Sequence, residues 1–124
     1  MKTIILAAAH SKDTPGKQSP DGTFKEWEWS REVLQIVKIG LRQNGVKTVV
    51  IAPESEPSTA WLKKNRVDVA NKIDNAFYFS LHVNAAPGQG WQQARGIEIW
   101  TSKGQTKSDE YATKIFIALR NEFE

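Results

Sequence analysis

Cysteine is absent from this chain of 124 residues, so a disulfide framework and a thiolate metal site are both excluded, and the redox compartment is left open. No stretch approaches the ~18 apolar residues of a membrane-spanning helix. Charge of one sign is not concentrated either. The net charge is +3, from 17 basic and 14 acidic residues, which mildly favours an anionic partner or surface. Only Lys63-Lys64 and Arg66 lie close together, so there is no nucleic-acid footprint. The first strand is followed by neither Gly-x-Gly-x-x-Gly nor a Gly-Lys-Ser/Thr loop, which disfavours a nucleotide fold. A Gly-x-Ser-x-Gly elbow is also missing, which disfavours a serine hydrolase. Histidine is scarce: there are two.

What is present describes a globular domain. The apolar fraction is 40% and the charged fraction 25%. The length suits one domain spanning 1–124, large enough to bury roughly two-thirds of its unfolded surface. Met1-Lys2 and the apolar run through Ala9 imitate a short secretion signal. Such signals need ~15–30 residues, and polar residues already begin at His10, so the run is read as a first strand that stays in the mature protein.

Strand and helix signals then alternate, which predicts an α/β fold with a mostly parallel sheet and helices on both faces. A polar loop runs from Ser11 to Thr23. The following helix carries Trp29, Val33, Ile36, Val37, Gly40 and Leu41 as its apolar face, and Asn44-Gly45 ends it. Val46 to Ala52 reads as a second strand. Ser58 or Thr59 caps a helix through about Lys72, with Leu62, Val69 and Ala70 inward. Phe77 to Asn84 forms a strand, and Gly96 to Trp100 another. A final helix starts near Ser108, with Tyr111, Ile115, Ala118 and Leu119 as its inner stripe. It runs into Asn121-Glu122-Phe123-Glu124 without a glycine or proline stop and with acids where the helix dipole prefers cations. The expectation is therefore a chain truncated at its C-terminus.

The chemistry gathers at strand ends. His10 closes the first strand and His82 comes late in the strand from Phe77. If these strands are parallel neighbours, both imidazoles emerge on the sheet edge where open α/β folds place ligands. Alternation puts Phe77, Phe79, Leu81 and Val83 on one face and Tyr78, Ser80, His82 and Asn84 on the other. Two imidazoles and one carboxylate make a catalytic zinc site with a fourth position open. Glu26 is the candidate third ligand; on spacing alone Glu28 serves equally well, and acids at a helix start also have a purely electrostatic explanation.

The segment Leu62-Lys63-Lys64-Asn65-Arg66-Val67-Asp68-Val69-Ala70-Asn71 followed by Ser80-Leu81-His82-Val83-Asn84-Ala85 resembles the zinc-dependent N-acetylmuramoyl-L-alanine amidases. These carry an Arg…Ala-Asn helix and a Ser-(Ile/Leu)-His-x-Asn-Ala strand end. The strands ending at His10 and running over Gly96-Ile97-Glu98-Ile99 are similar to their counterparts in that family, and the short insertions look most like its phage endolysin and prophage branch. The resemblance implies zinc held by His10, Glu26 and His82, with its register favouring Glu26 over Glu28. It also implies hydrolysis of the amide between N-acetylmuramic acid and L-alanine in peptidoglycan. Asn84 then orients a ligand, contacts substrate, or only satisfies the strand end. Arg66 meets a stem-peptide carboxylate or makes a structural ion pair. Trp91, in the loop Ala86-Pro87-Gly88-Gln89-Gly90, stacks on sugar or is an exposed loop aromatic. The family's usual glycine before the first zinc histidine is Ala9 here, and no residue matches its catalytic glutamate: Glu98 precedes that position, and Glu110, Glu122 and Glu124 belong to the last helix. The rival expectation is an amidase-like domain that binds wall glycopeptide without cutting it. The implied setting is a monomer made in the cytoplasm without a signal peptide, acting on the bacterial wall after release, with no nucleic-acid or membrane partner.

Overall fold

The computed structural model describes residues 2–123; Met1 and Glu124 lie outside the described residues. Its elements are β1 (Thr3–Ala8), α1 (Glu26–Gln43), β2 (Lys47–Ile51), α2 (Thr59–Leu62), a π-helical turn (Lys63–Val67), α3 (Asp68–Asn71), β3 (Ala76–Leu81) and α4 (Lys107–Phe123). They divide into two compact units, one through Trp91 and the other from Gln92 onward. No helix among the described residues is long and apolar enough to cross a membrane.

In the first unit the three strands form an all-parallel sheet in the order β2-β1-β3. β1 is central, and its Thr-Ile-Ile-Leu-Ala-Ala run is apolar on both faces because both faces are covered. One face sets Leu6 and Ala8 against Leu34 of α1, flanked by Val37, Leu41, Val50, Phe79 and Leu81. The other sets Ile5, Ala7 and Ile51 against Ala70, Ile73 and Ala76. Helices therefore cover both faces, as the alternating pattern predicts. The turn after α1 also follows expectation: Asn44 caps the helix, and Gly45 takes φ 73°, a left-handed conformation that favours glycine.

The inward stripe of α1 differs from the predicted one. Glu26, Ser30 and Leu34 are its buried residues, spaced by four, with Val37 and Leu41 continuing the line. Ile36 stands about 200° around the helix from Leu34 and is exposed. The polar start of the stripe hides it from a purely apolar count. The second predicted helix is broken by its π turn, one extra residue that shifts the facing of the turns after it. Arg66, within the turn, is buried, while Leu62 before it and Val69 after it, both expected inward, are exposed.

In the second unit α4 is the regular element, and no strand is assigned over 96–100. A strand exists through a neighbour's backbone groups, so a suitable five-residue pattern is insufficient without one. α4 opens on a capping box. The Thr106 hydroxyl accepts from the Ser108 N–H at 3.2 Å, and the Asp109 carboxylate accepts from the Thr106 N–H at 2.6 Å. Of its predicted inner stripe, Tyr111, Ile115 and Leu119 are half-buried and Ala118 is exposed.

Candidate metal centre

The sheet register brings the two histidines together. Ala8 pairs with Leu81, so the chain leaves β1 and β3 at the same level, with His10 and His82 one or two residues beyond. Their rings meet edge-on with centroids 5.0 Å apart. Glu26 arrives separately, as the first residue of α1. An isolated antiparallel bridge between Gln18 and Lys25 and a 3.1 Å bond from the Glu26 N–H to the Lys17 carbonyl fix where that helix starts.

The Glu26 carboxylate then faces both imidazoles. One oxygen lies 3.5 Å from His10 Nε2, the other 3.2 Å from His82 Nδ1. The second oxygen also accepts the Val83 backbone N–H at 2.8 Å, which fixes the carboxylate's orientation. Glu28, the alternative on spacing, points outward and reaches Lys25 at 4.0 Å. Side-chain exposures of 7% for Glu26, 22% for His10 and 51% for His82 make a site that is closed below and open above.

One donor atom from each of the three residues falls within 4.8 Å of the others. Tetrahedral zinc, with bonds of ~2.0–2.1 Å, sets its donors roughly 3.3–3.4 Å apart. The two glutamate–histidine distances, each to a different carboxylate oxygen, lie close to that value, and the set with one donor per residue spans up to 4.8 Å, so the donors suit zinc in their chemistry. Were zinc held here, three protein donors and an open side would match the catalytic rather than the structural pattern.

Burial pushes the His10 imidazole below its usual pKa, outweighing the opposing pull of the Glu26 carboxylate. The folded chain therefore binds fewer protons here than the unfolded chain. Metal-free stability should be full above the ordinary histidine value near ~6.5 and should fall as pH drops through it. Histidine NMR of the metal-free protein should show His10 titrating below that value; titration above it would contradict the assignment.

His10 sits at φ 44°, a left-handed conformation uncommon outside glycine. Two arginines surround its backbone. Arg66 Nη1 donates to the Ala8 carbonyl at 2.7 Å and Nη2 to the His10 carbonyl at 3.2 Å, while Nε meets Glu56. Arg31 Nη1 donates to the Ala9 carbonyl at 3.1 Å and Nη2 to the His10 carbonyl at 3.0 Å. All three donor nitrogens of the Arg66 head are thus occupied within the fold, in the ion-pair arrangement that the sequence offered as one of two alternatives.

Asn84 is exposed beyond His82, its side-chain oxygen accepting the Ala85 N–H at 2.9 Å. Trp91 is exposed in its loop. Arg31 was missed from sequence. A signal existed: it is a cation in the second turn of a helix, near the positive end of the dipole, and such a residue needs a partner elsewhere. The Val83 amide offers no sequence signal at all.

A parallel α/β sheet carries at its carboxyl edge, where open α/β folds place their ligands, a His-Glu-His cluster that could hold a metal ion. A model of the N-acetylmuramoyl-L-alanine amidase family matches residues 4–124, and the chain belongs to that family. The match runs through both units. No curated protein and no solved structure matches it.

Proposed function

We propose that this chain is a zinc-dependent peptidoglycan hydrolase acting on the amide between N-acetylmuramic acid and the L-alanine of the stem peptide. The observation that carries the reading is the convergence of His10, Glu26 and His82 within 4.8 Å at one edge of the sheet. Bound there, zinc supplies Lewis acidity that makes water nucleophilic near neutral pH and polarises an amide carbonyl. His10 and His82 contribute neutral nitrogens, and Glu26 contributes a negative charge in a partly water-excluded floor. The half-exposed His82 leaves the upper side free for a bulky glycopeptide, with Asn84 on the same rim placed to contact it. The resemblance to phage and prophage members makes a cytoplasmic monomer, reaching the wall after release, the consistent setting.

Proton delivery to the leaving nitrogen calls for a general acid, help typically worth 10²–10⁴-fold. Zinc-loaded protein on purified sacculi should release L-alanyl peptides. A chelator should stop the release and added zinc restore it. Release of glycan fragments instead, or release indifferent to chelation, would contradict the reading. A second reading is glycopeptide binding without cleavage, on the open side beside the half-exposed His82. Tight retention on sacculi with no peptide released over long incubation would select it.

A further inference from the structure

We propose that Arg31 and Arg66 act as a paired clamp on the carbonyls of residues 8–10, holding His10 in its left-handed turn and so presetting the metal centre before any ion arrives. The inference rests on the zinc reading of the site and adds the positioning residues to it.

A left-handed non-glycine residue is strained and persists where its surroundings over-determine it. Here they do. The single carbonyl of His10 accepts from both guanidinium groups, at 3.0 Å and 3.2 Å. The preceding carbonyls add to this: Ala8 accepts from Arg66, and Ala9 accepts from Arg31 at 3.1 Å and, more loosely, from the Ser30 hydroxyl at 3.4 Å. Arg31 does something further. Its Nη1 also donates to the Trp27 carbonyl at 2.7 Å, and its guanidinium carbon lies 5.4 Å from the Trp27 ring centroid. Trp27 adjoins Glu26, so one side chain ties the backbone of one candidate ligand to the turn that carries another. Its second nitrogen meets the Pro53 carbonyl as well.

Stability alone does not favour this arrangement. Two cations share one carbonyl, and burial followed by repulsion from Arg66 pushes Arg31 below the usual arginine pKa. A rigid, planar fork with several donors reaches four carbonyls from one position, which a lysine ammonium cannot do. Geometry at His10 is what the cost secures.

The test uses Arg31→Met and Arg31→Lys, since Arg66 also neutralises Glu56 and its loss endangers the fold. Three quantities are compared with wild type: zinc affinity by chelator competition, the absorption spectrum of the cobalt-substituted protein, and the His10–His82 ring cross-peak in the metal-free protein. Both variants should keep a folded amide spectrum and bind zinc about 10–100-fold more weakly, the range typical of groups that orient metal ligands. The cobalt bands should shift and the ring cross-peak should weaken. Wild-type affinity together with an unchanged cross-peak in both variants would overturn the clamp. If Arg31→Met unfolds, Arg31→Lys decides alone. Failure of the metal reading is separable: wild type would then match His10→Ala in zinc binding, while the metal-free cross-peak would still judge the clamp.

Discussion

On the proposed zinc reading, alanine at Glu26, His10 or His82 is expected to lower zinc affinity by more than about 100-fold, beyond the 10–100-fold typical of outer-shell partners. Glu26 has the largest effect because it faces both imidazoles, at 3.5 Å and 3.2 Å, and supplies the charge. Its burial brings a second consequence. Without metal, a desolvated carboxylate held by one amide and two histidines contributes little to stability and costs desolvation. Glu26→Gln should therefore leave metal-free stability equal or higher while zinc binding collapses, a trade-off common at functional sites. A Glu26→Gln protein that unfolds more easily without metal would mark Glu26 as a structural residue. Glu28→Ala serves as the control and should change neither quantity, since Glu28 is exposed and only grazes Lys25.

Arg66→Leu costs about 3–5 kcal/mol, the range for breaking a buried ion pair by removing one partner. Arg66 and Glu56 have side-chain exposures of 8% and 7%, so leucine strands a carboxylate away from water. It also removes the donors to the Ala8 and His10 carbonyls. Small domains are stable by only ~5–15 kcal/mol, so urea denaturation should show a midpoint shift of a large fraction of the total. Adding Glu56→Gln to Arg66→Leu should recover part of the loss, because the stranded charge is gone. No recovery would mean that the carbonyl bonds, not the ion pair, dominate.

Much of the fold and the site was legible in the sequence, for identifiable reasons. β1 announces itself as a central strand because both faces are apolar, and a central parallel strand carries its last residues to the ligand edge. The meeting of His10 with His82 follows from that register. Choosing Glu26 over Glu28 does not follow from spacing, since both lie within the first turn of α1; the family register and then the burial of Glu26 separate them. Three features stayed hidden. Ser30 and Glu26 begin the buried stripe of α1, so an apolar count rotates the helix and turns Ile36 inward, when it is exposed. The π turn at Lys63–Val67 depends on tertiary packing and has no compositional mark, yet it coincides with the burial of Arg66. The alternation over 96–100 is a good strand pattern, but pairing is a property of two chain segments and cannot be read from one.

X-ray absorption at the zinc edge of the one-to-one zinc complex tests the central claim most directly. Two imidazole nitrogens and one carboxylate oxygen should appear at about 2.0–2.1 Å, with a light fourth scatterer from solvent. A first shell without histidine scattering, or zinc that binds with no fixed stoichiometry, would contradict the account.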